Sequence, residues 1–351
     1  MTASITGRAD MDHCFVGLDV SKEETAVCVR TRGGKIKAAF KTPTDPDAIC
    51  QSLNRCDADI QCVVVETGRM ANWLYSELSQ RGLPMVCIDA RQAHAVLSQM
   101  HNKTDENDAA MLAELARTGF YKRIEVKGRI AQERRALLRA REVAIKTRMN
   151  VENTIRGLLA GFGVRLPKHL KTYDQRVRHV LDDQPILAGI ILPLLRLRTE
   201  ALRQVAALTK DMSRIARSDE ACQRLMTIPG IGAVSAVTFV ATIDTPDRFC
   251  RSRSVGAYVG LTSRRHQSGD IDYGGRISRR GDRMLRTVLY EAANSLMCRV
   301  KSGAGQNLKD WAIALKKRTS HKKAVVALAR KLAVIMHAIW KDGTEFEPQE
   351  A

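Results

Sequence analysis

The spacing of apolar and polar positions divides the 351-residue chain into three stretches. In the first, residues 14–20 (CFVGLDV), 25–30 (TAVCVR) and 35–40 (KIKAAF) are short β-rich runs separated by polar turns, and Gly33-Gly34 suits a hairpin connection. Residues 60–66 (IQCVVVE) are almost continuously apolar, which predicts a strand covered on both faces, and 84–89 (PMVCID) predicts another. Helical spacing predicts helices over 45–53, 70–81, 91–99 and 105–118. In the second stretch, Ile130, Leu137, Ala144, Val151 and Leu158 recur every seven residues, flanked by Leu138, Ile145, Ile155, Leu159 and Phe162. A second long helix is predicted over 190–217, with Pro167 and Pro185 between the two. Such a pair reads as an antiparallel helical hairpin that packs on itself or on a second subunit. The third stretch, 221–345, reads as mostly helical.

Three strands, then helix, strand, helix, strand and helices, is the element order of a ribonuclease-H-like fold. The expected fold class is therefore α/β plus all-α. It comprises a ribonuclease-H-like region at 12–122, a helical coiled-coil hairpin at 126–218 and a helical region at 221–345.

Charge changes this picture. Residues 1–125 carry 15 Lys/Arg and 17 Asp/Glu, whereas residues 126–351 carry 42 and 21. The whole excess of +19 thus lies in the helical part, which points to a polyanion partner there. The nine cysteines include no CxxC pair, which argues against a zinc ribbon or a disulfide framework and for a reduced, cytosolic protein. Residues 1–13 lack the apolar core of a signal peptide, and the longest apolar run, 186–195, is too short to cross a bilayer.

The candidate chemistry begins with carboxylates. Asp19 ends the first strand and Glu66 ends the buried one; Asp105 and Asp108 are three residues apart at a helix start, on one face. An aspartate is a poor strand residue and is costly to bury unless paired or metal-bound. In a ribonuclease-H-like fold the first and fourth strands are neighbours and a later helix crosses their ends, so four carboxylates could converge. A pair of Mg²⁺ ions would neutralise them and support an in-line phosphoryl displacement. Taken singly, Asp105 reads as a helix-start charge and Asp19 as a turn residue. GLDVSKEETAV also resembles the phosphate loop of actin-like sugar kinases, but no second glycine-rich loop follows.

In the basic part, Ile228, Gly230, Ile231, Gly232 and Ala236 stand at helix-hairpin-helix spacing; Gly230 and Gly232 would make a tight turn whose N–H groups hold a DNA phosphate. Arg264, Arg265, Arg276, Arg279, Arg280, Arg283 and Arg286 surround Ser268, which reads as lying in a Gly-flanked loop. A serine among guanidinium groups suits attack on a phosphodiester, and Ser263 and Ser278 are close rivals. Arg134, Arg141 and Arg148 recur every seven residues and read either as a solvated flank or as a nucleic-acid rail.

GLDVSK, VVVETG, KTDENDAAMLAE, IPGIG and GLTSRRHQSG…GGRISRRGDRMLR, in this order, resemble the DEDD-type insertion-sequence transposases with a RuvC-like N-terminal domain, which work with a bridge RNA. The resemblance runs from about residue 14 to 340. It implies that Asp19, Glu66, Asp105 and Asp108 are the metal-binding acidic positions and that Ser268 attacks DNA, forming a covalent intermediate. It also implies DNA as substrate, a structured non-coding guide RNA, assembly as dimers or dimers of dimers, and a cytoplasmic, nucleoid-associated life. Two departures stand out: Ser263 replaces a usual proline, and Asp270 and Asp272 lie unusually close to the serine. The competing expectations are a RuvC-like structure-specific endonuclease without serine chemistry and a non-enzymatic architectural DNA binder.

Overall fold

The computed structural model describes residues 13–97, 104–167, 172–269 and 271–347. It divides between Lys127 and Gly128 into two compact units.

The first unit is built on a mixed sheet. Strands β1 (His13–Val20), β2 (Glu24–Thr31) and β3 (Ile36–Pro43) form an antiparallel meander. Helix α1 (Pro46–Asn54), capped by the Asp45 carboxylate on the Ala48 N–H, leads to β4 (Asp59–Glu66), which runs parallel to β1. Helix α2 (Ala71–Gln80) leads to β5 (Met85–Ile88), parallel to β4; α3 (Ala90–Leu97) and α4 (Asp105–Thr118) follow, and a two-residue β6 (Arg123–Ile124) closes the edge. The strand order is β3-β2-β1-β4-β5-β6. The last residues of the helix expected over 91–99 lie outside the described residues.

Period two sorts the strand residues onto two faces. Cys14, Val16 and Leu18 bury against Ile49 and Leu53 of α1 and Leu74 and Leu78 of α2. The opposite face belongs to α4: Ala26 and Cys28 meet Ala109 and Ala113, and Cys62 and Val64 meet Leu112 and Ala116. Gly17 lies under the same helix. A Cβ there would stand 2.2 Å from the Ala109 carbonyl oxygen and 2.3 Å from the Ala113 nitrogen. Both obstacles are backbone, so no rotamer change relieves them. Gly17→Ala is expected to destabilise the first unit by about 3 kcal/mol, the upper part of the overpacking range, because α4 must lift off the sheet. Urea unfolding checks this, and a loss under about 0.5 kcal/mol would contradict so close an approach.

The second unit is helical with one β-hairpin. Helices α5 (Arg129–Gly161) and α7 (Pro185–Ser218) are the long pair, joined through α6 (Tyr173–Leu181), which the pattern of residues between Pro167 and Pro185 did not foretell. Pro185 opens α7, where proline's missing N–H costs nothing, and Pro193 lies inside it. One end of the pair, with α6, has its own core of Val151, Ile155, Leu159, Tyr173, Val177 and Ile191. At the other end Leu138, Met212 and Ala216 merge into the core formed by α8 (Glu220–Met226), α9 (Ala233–Ile243), α10 (Arg253–Tyr258), α11 (Arg283–Arg299), α12 (Gln306–Arg318) and α13 (His321–Asp342).

The buried seam of α5 differs from the expected heptad. Of the expected positions Val151 is buried, with Ala131, Leu138, Glu152, Ile155 and Leu159, whereas Ile130 is 65% and Leu158 37% exposed. Apolar residues come in adjacent pairs here (137/138, 144/145, 158/159), so spacing alone fits two registers. Glu152 fixes the choice: its Oε1 accepts from Arg198 Nε of α7 at 2.9 Å and from Arg148 Nη1 at 3.3 Å.

Residues 263–277, expected as a loop, form a two-stranded hairpin, β7 (Ser263–Ser268) with β8 (Ile271–Ile277). Its β7 residues are all exposed, so no hydrophobic alternation betrays it. Two-stranded hairpins are marginal alone.

Candidate functional site

In the first unit, strand register decides where the carboxylates stand. Lys41 of β3 pairs with Ala26 of β2, which pairs with Asp19 of β1. Leu18 pairs with Val65 of the parallel β4, so Asp19 and Glu66 end adjacent strands one position further on. Asp19 shares the face of Gly17, and Glu66 that of Cys62 and Val64, by the period of two; both are half-buried on the side that α4 covers. Helix α4 starts at Asp105, capped by the Thr104 hydroxyl on the Asn107 N–H. Its Ala109 backbone lies against Gly17, two residues before Asp19, so Asp108, the residue next to Ala109, is brought to the same end of the sheet. Asp108 is half-buried and Asp105 exposed.

Lys41 was not foreseen. Its Nζ lies 3.0 Å from Glu106 Oε1 and 3.4 Å from Asp105 Oδ2. The hydrogen bond to Glu106, then that to Asp105, raises the Lys41 pKa, and the lysine in turn lowers that of Glu106. Only the pairing of β3 with β2 places a cation here, and nothing in the spacing of residues 35–43 announces it.

Among the described residues, no three His, Cys, Asp or Glu side chains stand close enough together to hold an ion. The donor set nevertheless fits hard divalent cations: all four positions offer carboxylate oxygen, at the shared end of β1, β4 and α4. Holding an ion would require Asp105 to trade its contact with Lys41 for the ion.

In the second unit, Ser268 ends β7 opposite Ile271 and is exposed. Asp270 lies outside the described residues. Arg265 donates to both oxygens of Asp272, Nε to Oδ1 at 2.8 Å and Nη2 to Oδ2 at 2.5 Å, which lowers the Asp272 pKa and orients the guanidinium. His266 stacks on Tyr273 with ring centroids 5.1 Å apart. Arg264 donates to the Ser278 carbonyl at 3.3 Å, and Arg276, Arg279, Arg280 and Arg283 are exposed. Arg286 is turned inward: it donates to the carbonyls of Val259 and Gly281, and burial lowers its pKa.

Gly230 and Gly232 differ in use. Gly230 has φ of 88°, and a Cβ would stand 2.8 Å from the Ala292 carbonyl, so this glycine serves the close packing of the turn on α11. Gly232 is the N-cap of α9, open around its Cα and without a side-chain cap.

The arginine stripe of α5 lies against internal partners. Arg134 Nη2 donates to Asp219 Oδ2 at 2.6 Å, Arg141 Nε to Thr209 at 2.9 Å, and Arg148 to Glu152. Burial lowers the Arg141 pKa. The first two contacts tie α5 to α7 and to the cap of α8, whereas Arg148 and Glu152 both belong to α5. Asp219 caps α8, and Asp282, which caps α11, accepts from Arg135 at 2.9 Å. Burial pushes both carboxyls up, but their backbone hydrogen bonds and arginines outweigh it and leave both pKa values lowered. Consecutive arginines of one helix thus lock the starts of two others.

A DEDD transposase model, described as "Transposase", matches residues 16–163, and the model described as "Transposase IS116/IS110/IS902 family" matches residues 222–309. The chain belongs to the DEDD-type insertion-sequence transposases. It is an enzyme that acts on DNA, of the transposase and recombinase class. Among its curated relatives, the transposase for insertion sequence element IS1111A of Coxiella burnetii is 29% identical over 340 residues, covering 95% of this chain and 91% of that one. The transposase for insertion sequence element IS1328 of Yersinia enterocolitica is 25% identical over 335 residues, covering 95% and 98%. The pilin gene-inverting protein of Moraxella lacunata is 23% identical over 351 residues, covering 96% and 98%. The first match contains all four carboxylates of the N-terminal end of the transposase, and the second contains Ser268 and its arginines. A divalent-metal-dependent site is what the DEDD family implies. Among the described residues no helix is long and apolar enough to cross a membrane.

Proposed function

We propose that this transposase recombines DNA by joining two chemistries: a carboxylate site of Asp19, Glu66, Asp105 and Asp108 that holds two Mg²⁺ ions, and a serine nucleophile, Ser268, that links covalently to DNA. The observation that carries this reading is the register that sets Asp19 and Glu66 at adjacent strand ends under the start of α4. The first unit is then a ribonuclease-H-like, RuvC-like domain, with a hairpin region and a C-terminal region after it. The ions would neutralise the carboxylates and the charge gathering on a transferring phosphate.

The remaining roles fall to the chain itself. Arg265, held by Asp272 near the tip of the hairpin, offsets phosphate charge beside Ser268, while Arg264 and Arg276 hold backbone phosphates further along the hairpin towards its base. Ser268 Oγ forms the phosphoester as a sugar oxygen leaves. Arg279, Arg280 and Arg283, with the α9 start at Gly232, contact phosphates without reading sequence. A structured non-coding RNA pairs with donor and target and sets the site; the net charge of +21 between residues 126 and 351 supports a second polyanion besides DNA. Apolar side chains left exposed on the long helices, Val143, Met149 and Leu158 of α5 with Ile190, Leu197 and Leu202 of α7, support a homodimer or dimer of dimers through this hairpin. The protein works in the cytoplasm at the nucleoid.

Sequencing the RNA that co-purifies with the protein tests the guided reading. One structured species encoded beside the gene should be enriched by about a hundredfold or more over its cellular share, as tight specific binding requires. Recovery of ribosomal and transfer RNA fragments in proportion to their abundance would refute guidance.

A further inference from the structure

An open groove of about 1280 Å³ runs between the base of the serine hairpin and helices α12 and α13. Six cations line it, Arg276, Arg279, Lys322, Lys323, Arg330 and Lys331, and none of its lining residues is acidic. Its floor is aromatic and apolar: Trp311 is 38% exposed, with Tyr290, Leu315 and Val326 beside it. The Lys331 ammonium sits 4.7 Å from the Trp311 ring centroid.

A second observation is independent of the groove's shape. Helix α13 begins His321-Lys322-Lys323, with no acidic residue in its first turn. Cations at a helix N-terminus oppose the helix dipole, so the fold gains nothing from them there. An anion bound at that end would be favoured by the lysines and the dipole together. Cations over an exposed aromatic ring make the combination that holds unpaired nucleic acid: phosphates follow the charges, and a base lies on the ring. A duplex, whose bases are stacked on one another, offers no such face.

We propose that this groove binds an unpaired stretch of DNA, with one base stacked on Trp311 and the flanking phosphates on Lys322, Lys323 and Arg276. The groove continues into the hairpin that carries Ser268, since Ser263, Gly274 and Gly275 line it. Ser263 and Ser268 are the two ends of β7, about 16 Å apart at the rise of an extended strand. A strand leaving the groove along the hairpin therefore reaches the serine, which selects DNA as occupant. The inference rests on the proposed serine chemistry only for that destination.

Fluorescence anisotropy of the full-length protein with labelled oligo-dT, oligo-U of the same length and a DNA duplex tests it. Trp311→Ala should weaken oligo-dT binding about tenfold, as loss of one stacked base predicts, and Trp311→Phe should stay within about twofold of wild type. Lys322→Ala with Lys323→Ala should weaken oligo-dT as well and flatten its salt dependence. Duplex affinity should change in none of the Trp311 variants. Oligo-dT binding by Trp311→Ala within about twofold of wild type, or an equal loss on duplex, would overturn the proposal. So would tighter binding of oligo-U that disappears in Trp311→Ala, which would make the groove an RNA site. Ser268→Ala should bind oligo-dT like wild type, so a failure of the serine chemistry and a failure of the groove read out separately.

Discussion

Asp19→Ala is expected to abolish strand exchange, by about a thousandfold or more, while DNA affinity falls no more than about threefold. Asp19 stands at the end of β1 on the α4 face, beside Glu66 and beneath the helix that starts with Asp105 and Asp108. Asp19 points to the face opposite α1 and α2, so its removal leaves the buried α1–α2 face of the sheet untouched. Glu66→Gln keeps size but removes the charge and turns one acceptor oxygen into an N–H donor, so it should lose activity as severely. Chelation of divalent ions should reproduce both losses in the wild type and add nothing to either variant. An architectural binder would tolerate Glu66→Gln and ignore the chelator. Strand exchange on a plasmid substrate, read beside DNA binding, separates these cases.

Ser268→Ala carries the second large effect. It should remove the covalent protein–DNA adduct completely and strand exchange with it. Ser263→Ala and Ser278→Ala are the controls, because both serines lie at the base of the hairpin; Ser278 donates its N–H to the Thr262 carbonyl there, far along the strands from the tip. Each should retain adduct formation within about threefold. A structure-specific endonuclease would cut branched DNA to free ends with or without Ser268. Adduct surviving in Ser268→Ala and lost in Ser263→Ala would move the nucleophile to the groove end of β7.

Much of the first unit could be read from residue spacing because its central strands β1, β2 and β4 are buried on both faces. The run CVVV of β4 and the capped start of α4 after Thr104 leave few alternatives. Asp19 and Glu66 stand out as candidates for the same reason: each is a charge near the end of an apolar strand. Lys41 could not be found, since its meaning depends on β3 pairing with β2 and on α4 arriving above it. The second unit was harder where polar residues carry the structure. The β7–β8 hairpin has no apolar alternation and is fixed at its base. The α5 arginines repeat with the helix seam, and a sevenfold spacing of cations looks the same whether they face phosphate or, as here, Asp219, Thr209 and Glu152. Trp311 sits inside an ordinary amphipathic helix pattern, and only the neighbouring hairpin and α13 turn it into a groove wall.

The decisive measurement is mass spectrometry of the protein trapped on a nicked DNA substrate, with and without Mg²⁺. A nucleotide esterified to Ser268 is predicted for the wild type with Mg²⁺, and none for Asp19→Ala or after chelation. An adduct on a different residue, or an equal yield on Ser268 without divalent ions, would contradict the union of carboxylate and serine in one reaction.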